Sequence, residues 1–168
     1  RMNLYTVQLT TEGWARHLAA HPEDSRSGVV IGYDSRRFSR EFAEAAAEVF
    51  AGHGIPTWVF REVAPTPLVS FELLRRKARA GLVITASHNP AEYNGYKIYG
   101  SNGGQVIPPE DGEIVNEVSR IQRLDEIQRL PYAEGKTKDL IQDLGHEPDA
   151  DYLDTLNALA LGSVAENR

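Results

Sequence analysis

The sequence contains no cysteine and a single methionine. Disulfides and thiolate metal centres are therefore excluded, while the redox compartment stays open. No apolar run approaches the roughly 20 residues that a membrane-spanning helix needs. The first residues do not follow the pattern of a secretory leader, so a cytoplasmic location is expected. Basic residues are in deficit: 18 Lys and Arg face 24 Asp and Glu, a formal net charge of −6. That balance disfavours a general nucleic-acid surface, which needs a basic stripe, and an anionic ligand must be met by local cations rather than by the overall field. Repeats and low-complexity tracts are also missing. What remains is a globular composition, 41% hydrophobic and 25% charged over 168 residues, sufficient for one core.

Helix and strand signals alternate through the first part of the chain. Leu4 to Ala20 has mostly helical spacing through Val7, Trp14 and Leu18, and His21-Pro22 stops it because proline disfavours helix in the residue before it. Gly28-Val29-Val30-Ile31-Gly32 reads as a buried strand, and Ser39 as the N-cap of a helix that carries Phe42, Ala46, Val49 and Phe50 to Gly52 and Gly54. Ile55 to Phe60 predicts a second strand, Pro67 to Lys77 a helix opened by proline, and Leu82 to Thr85 a third strand. Strands separated by helices pair in parallel through right-handed crossovers, so the expected fold is a three-layer α/β/α domain with a mixed, mostly parallel sheet.

Beyond Pro90 the pattern changes. Tyr96 to Tyr99 and Gln105 to Ile107 flank a glycine-rich turn, Gly100-Ser101-Asn102-Gly103-Gly104, and predict a hairpin or edge strands. Pro108-Pro109-Glu110-Asp111 opens a helix with acidic residues at its positive end, expected to run to about Ile127. Pro131 to Asp149 has little periodicity and reads as a linker, while Tyr152, Leu153, Leu156 and Leu159 form the apolar stripe of a helix that docks on a following domain. The division expected is one domain over 1–130, then a linker and the start of the next domain over 131–168.

The chemistry gathers after the third strand, in Thr85-Ala86-Ser87-His88-Asn89-Pro90 and Tyr93-Asn94-Gly95-Tyr96-Lys97. A hydroxyl, an imidazole and an ammonium share one loop at a strand's carboxyl end, where open α/β sheets bind ligands. A serine hydroxyl carries a group usefully only when its surroundings handle protons and charge. Lys97 suits that need as a compact charge on a long stem, either as general base or as charge clamp; an isolated lysine is simply solvated, and its spacing from Ser87 and the Asn94-Gly95 turn favour the working role. His88 serves either as proton shuttle or as an anchor of the loop, and both readings stand. Arg36, after Asp34-Ser35, lies on the same edge and is a substrate-binding candidate through its planar fork, with a salt bridge to Asp34 or Glu41 as the alternative. Asn89 is carried as a second substrate-binding candidate, although Asn89-Pro90 has a structural use in holding Ser87 outward. Thr66 reads as a turn residue, and His17 with His21 as solvated histidines rather than a metal pair. Ser87 lacks the flanking glycines of a nucleophile elbow, and the glycines of 100–104 lack a dinucleotide fingerprint, so hydrolase and nucleotide-binding functions are disfavoured.

The TASHNP and NGYK segments, with Gly103-Gly104-Gln105, resemble the active-site serine loop of the α-D-phosphohexomutases, the phosphoglucomutase and phosphomannomutase family. The similarity is greatest to bacterial phosphoglucomutases and their phosphopentomutase relatives. Arg1-Met2-Asn3 with Tyr5-Thr6-Val7 resembles the family's NRMN segment, and Gly32-Tyr33-Asp34-Ser35-Arg36 lies between, so the resemblance spans roughly the first 120 residues. Family members have four domains. This sequence carries none of the Asp-Gly-Asp-x-Asp metal loop, the Gly-Glu-x-Ser-Gly sugar loop, the late phosphate loop or the early Gly-Thr-x-Gly-x-Arg segment, and is read as domain I.

The resemblance implies a phosphoserine at Ser87, with Lys97 in proton transfer near the reacting hydroxyl and Mg2+ held by the Ser87 phosphate together with aspartates of the second domain; His88 is carried beside them as a catalytic candidate on its own chemistry. Phosphate moves between C1 and C6 hydroxyls, or C1 and C5 in a pentose, with glucose 1,6-bisphosphate as intermediate and activator. Glucose phosphate is the first expected substrate, ahead of pentose or mannose phosphate. The expected partners are the sugar phosphate and the remaining domains of the same enzyme, with no nucleic acid or membrane. The isolated chain is expected to be inactive and, through Leu153, Leu156 and Leu159, able to self-associate. The alternative is a stand-alone sugar-phosphate binding or regulatory module without catalysis.

Overall fold

The computed structural model describes residues 2–22 and 28–160. In chain order these form α1 (Leu4–Ala20), β1 (Val29–Tyr33), α2 (Ser39–Gly52), β2 (Thr57–Phe60), α3 (Thr66–Arg76), β3 (Ala80–Ile84), β4 (Tyr96–Gly100), α4 (Glu110–Arg120), a 3-10 turn (Leu124–Glu126), α5 (Tyr132–Thr137), β5 (Ile141–Leu144) and α6 (Glu147–Leu159). Strand order is β4-β3-β1-β2-β5. β1 pairs in parallel with β2 and β3, β5 pairs in parallel with β2, and β4 runs antiparallel to β3. Arg1 and residues 161–168, on which part of the sequence reading falls, lie outside the described residues.

The sheet is covered on both sides because its strands are apolar on both sides. Val29, Ile31 and Tyr33 of β1, with Leu82 and Ile84 of β3, join Val7, Trp14, Phe42, Phe50 and Ile114 in one core. Val30 and Val83 point the other way and meet Leu68, Val69 and Leu73 of α3, with Phe60 and Leu144. Continuous burial of this kind marks central parallel strands, and the result is a three-layer α/β/α domain with a mixed, mostly parallel sheet. Among the described residues no helix is long and apolar enough to cross a membrane.

Local signals explain most boundaries. Asn3 caps α1 reciprocally with Thr6: each side chain accepts the other's backbone N–H at 2.9 Å. His21 ends that helix, as the following proline requires. Ser39, by contrast, is not an N-cap. The cap position is Phe38, in a left-handed conformation with φ of 64°, and the Ser39 hydroxyl turns back to donate to Asp34 at 2.8 Å. The helix opened by Pro108-Pro109 also stops short of Ile127, at Arg120, because Ile121 turns into extended backbone and buries its side chain.

The segment read as a linker belongs to the sheet. Residues 132–137 form a helix, and Ile141–Leu144 add a parallel edge strand beside β2. The periodicity is faint because only Ile141 and Leu144 of this strand are buried. Its polar positions find partners instead: Gln142 accepts from the Trp58 indole at 3.2 Å, and Asp143 accepts from the Tyr132 hydroxyl at 2.9 Å and the Lys136 ammonium at 2.6 Å. Helix α6 then packs on α3 through Tyr152 against Phe71, ring centroids 5.2 Å apart, and through an Arg75–Asp151 ion pair at 2.9 Å. Leu153, Leu156 and Leu159 remain exposed.

Two buried titratable side chains brace the layers. Glu12 of α1, fully buried, accepts from Arg16 at 2.8 Å, faces His53 Nε2 at 2.8 Å and accepts the Gln128 backbone N–H at 3.0 Å. It thereby ties α1 to the end of α2 and to the chain before α5. Burial alone would raise its pKa, but the hydrogen bonds from His53, Arg16 and Gln128 outweigh that and hold it below the ordinary carboxylate value. His17, expected to be solvated, is buried between α1 and α4, its ring nitrogens 4.0 Å from Glu110 and Glu113. Burial first, then the neighbouring His21, lower its pKa.

Both shifts have the same sign for stability. A carboxylate or imidazole whose folded pKa is depressed contributes fully above its unfolded value, and the contribution is lost as pH falls toward the folded one. We expect stability to decline below about pH 6.5 as His17 enters its window, and further below about pH 4.5 as Glu12 follows. Urea unfolding across pH 4–8 measures both steps. Glu12→Ala strands His53 and Gln128 and is expected to cost about 3 kcal/mol at neutral pH.

Candidate active site

The register of the sheet decides what meets at its carboxyl edge. β3 ends at Ile84, opposite Tyr96 at the start of β4, so Ser87 lies three residues past one strand while Lys97 is the second residue of its antiparallel neighbour. Lys97 pairs with Val83, on the α3 side of the sheet, with Tyr96 and Ile98 on the other. Its side chain is half-buried, and among the described residues it has no hydrogen bond or ion pair. Ser87 is exposed, and its Oγ lies 3.2 Å from His88 Nδ1. Ser87 and His88 thus lie on the loop after β3, whereas Lys97 is not on that loop but in the adjoining strand β4.

Ser87 adopts a left-handed backbone, φ 59°, a region that costs a non-glycine residue about 1–3 kcal/mol and persists only where its surroundings impose it. Its N–H donates to Thr85 Oγ1 at 3.0 Å, and its carbonyl accepts from Arg36 at 2.8 Å. The same guanidinium donates to the carbonyls of Asn89 at 2.7 Å, Pro90 at 2.7 Å and Tyr93 at 3.2 Å, and through Nε to Asp34 at 3.0 Å. A guanidinium has five N–H donors, and all are engaged by the protein. Of the two readings of Arg36, the salt bridge to Asp34 is present, and the remaining donors hold the carbonyls of the serine loop. Asn89 is exposed, and its main chain is fixed by the Arg36 contact and by an N–H bond to Ala86 at 3.1 Å; its side chain has no partner among the described residues.

Asp34 stands behind this arrangement. Its carboxylate accepts from the Arg36 backbone N–H at 3.0 Å, from Arg36 Nε and from Ser39 Oγ, and the Thr85 hydroxyl acts on it as well. Burial would raise its pKa, but those hydrogen bonds, with Thr85 the largest, and the Arg36 charge depress it. Asn94 completes the frame by donating to Ser39 Oγ at 2.8 Å and accepting the Gly95 N–H at 2.9 Å. Asp34, Thr85, Ser39 and Asn94 had no site role in the sequence reading. Their signal is polar side chains clustered at the ends of β1 and β3, and the pairings emerge only when those strands lie side by side.

An α/β/α domain that presents a fixed serine loop at the carboxyl edge of its sheet is a scaffold for handling a small polar ligand there. Residues 1–125 match the family described as phosphoglucomutase/phosphomannomutase, alpha/beta/alpha domain I, and the chain belongs to that family. A human phosphopentomutase is 44% identical over 118 residues, covering 66% of this chain and 19% of its own length. A Staphylococcus epidermidis phosphoglucomutase is 32% identical over 170 residues, covering 99% of this chain and 30% of its own length. The solved structure of a Thermus thermophilus protein put forward as a phosphomannomutase superposes with a TM-score of 0.78 at 28% identity, over 94% of this chain and 32% of that one. The chain therefore spans between about a fifth and a third of the relatives it matches.

Gly95 is the tightest point of the frame. Its carbonyl accepts the Thr85 N–H at 3.0 Å, and a Cβ there would stand 2.5 Å from the Thr85 carbonyl oxygen. Gly95→Ala must push β4 away from the end of β3, at an expected cost of about 1–3 kcal/mol. Thermal unfolding, with faster amide exchange at Thr85, checks this.

Proposed function

We propose that this chain is the serine-bearing domain of a phosphosugar mutase, in which Ser87 carries the phosphoryl group. The observation that supports it most directly is an exposed hydroxyl on a backbone fixed at both its N–H and its carbonyl, with an imidazole 3.2 Å away and a half-buried lysine on the adjoining strand. Phosphoryl transfer asks for positioning and charge neutralisation more than for covalent assistance, and this loop supplies the first.

In the proposed cycle a hydroxyl of the sugar phosphate attacks the phosphorus of phospho-Ser87. The new P–O bond to the sugar forms as the bond to Ser87 Oγ breaks, and the hydroxyl's proton passes to a base, for which Lys97 is the candidate. In this reading His88, whose Nδ1 lies 3.2 Å from Ser87 Oγ, returns a proton to that oxygen. The bisphosphorylated sugar then turns over, its other phosphoryl group returns to Ser87 with the reverse proton movements, and phosphate has moved between C1 and C6, or C1 and C5. Glucose 1-phosphate and glucose 6-phosphate are the first pair to assay, with glucose 1,6-bisphosphate as primer; the phosphopentomutase relatives add pentose phosphates to that test. Asn89, whose side chain is free among the described residues, is kept as a substrate contact.

A divalent cation does not fit this chain alone. Among the described residues no three His, Asp or Glu side chains come together as a metal site, whereas Mg2+ takes about six oxygen ligands. In the proposed enzyme the Ser87 phosphate supplies one ligand, and the others come from the remaining domains. We read the enzyme as cytoplasmic.

Intact-mass and phosphopeptide analysis of the protein from its native host tests the proposal. The expected result is a chain several times longer than 168 residues with phosphate on Ser87; a product of this length without phosphate there overturns it and favours a binding module. Ser87→Ala in the longer protein is expected to lower turnover at least about 1,000-fold, and Lys97→Met about 100-fold. Unchanged turnover in either variant removes the role given to that residue. The 168-residue chain alone is expected to show no mutase turnover.

A further inference from the structure

We infer that Arg36 is the positioning residue of the serine loop: it sets the aim of the Ser87 hydroxyl through the backbone and does not contact the substrate. This rests on the mutase reading for its kinetic consequence, while the clamp itself is a matter of geometry. The loop from Ser87 to Tyr93 has no strand or helix ladder of its own, yet four of its carbonyls, at Ser87, Asn89, Pro90 and Tyr93, converge on one guanidinium. The arginine side chain is only 12% exposed, whereas the loop residues it grips are exposed.

The effect is concentrated on Ser87. Its N–H is held by Thr85 Oγ1 and its carbonyl by Arg36, so both flanking peptide planes are pinned and the left-handed φ of 59° is imposed from two sides. Arg36 in turn donates to Asp34, and the Thr85 hydroxyl acts on the same carboxylate, so the two restraints meet just past the end of β1. What is left to rotate is the hydroxyl itself. Lysine cannot replace this residue: an ammonium has three donors on a single atom and cannot span four separated carbonyls while retaining a carboxylate partner. Because no guanidinium N–H is left over, a phosphoryl group on Ser87 or on a sugar has no donor to take from Arg36 unless the loop opens.

The test uses the longer protein that contains this domain, as wild type, Arg36→Lys and the milder Asp34→Asn. Hydrogen exchange over residues 87–93 is measured alongside steady-state kinetics with glucose 1-phosphate primed by glucose 1,6-bisphosphate. In Arg36→Lys the loop amides are expected to exchange about tenfold faster, with kcat about 100-fold lower and KM within about twofold of wild type. Asp34→Asn is expected to move both readouts the same way by less, and it carries the test if Arg36→Lys does not fold. Unchanged loop exchange overturns the clamp. A raised KM with kcat preserved overturns the positioning role and returns Arg36 to substrate binding. If the wild type turns over neither hexose nor pentose phosphate, the mutase reading fails by itself, and loop exchange still decides whether Arg36 holds Ser87.

Discussion

Burial of both faces of β1 and β3 is the constraint from which the rest follows. A strand covered on each side has no surface to offer, so polar work is confined to its ends. Asp34 follows directly on β1 and Thr85 on β3, neighbours because the two strands pair in parallel register from Val29 with Ala80 to Tyr33 with Ile84. The Asp34 carboxylate then gathers Arg36, Ser39 and Thr85 at the point where the ordinary ladder stops. Local donors are used up in stabilising a loop that the sheet cannot support, and the serine is displayed as a consequence.

The buried glutamates show the same economy in the structural layers. Glu12 and Glu72 are both fully buried, Glu12 among Arg16, His53 and a backbone N–H, and Glu72 beside Arg75 and Arg76 on its own helix. Such groups contribute little net stability against a well-packed apolar replacement, but they penalise every arrangement that separates them. Glu12 joins α1, α2 and Gln128, and Glu48 accepts the Tyr132 N–H at 3.0 Å. The chain beyond α4 is thereby led back to the β2 edge, where Ile141 enters one core and Leu144 the other.

Elements that bury long apolar runs were legible in the sequence, and elements held by polar pairing were not. Val29 to Ile31 and Leu82 to Ile84 announce central strands, and Leu4 to Ala20 announces a helix with a proline stop, because burial writes itself into residue type. β5 escaped notice because Gln142 and Asp143 occupy half of it and depend on Trp58, Tyr132 and Lys136, which are distant or differently spaced in sequence. The α2 cap differs from the sequence pattern for a related reason: Ser39 has the right chemistry for its own helix but is taken by Asp34. At the site, Ser87, His88 and Lys97 could be singled out from type and spacing. The role of Arg36 could not, since whether a guanidinium faces a ligand or a turn depends on carbonyls 51 to 57 residues further along the chain.

Charge accounting at the serine edge bears on the proposed enzyme. A phosphoryl group on Ser87 brings a charge of about −1.5 to −2. Arg36, which holds the Ser87 carbonyl, is wholly committed to the loop and to Asp34. Lys97 has no protein partner among the described residues; it supplies one positive charge when protonated and none while it acts as the base, and in neither form can it balance a phosphoserine together with the phosphate of a sugar. On the mutase reading the missing positive charge must arrive with the polypeptide beyond this domain. That division has a physical advantage, because a domain that fixes the serine but leaves its charge uncompensated becomes competent for transfer only when the remaining charge, and with it the substrate, closes over the loop.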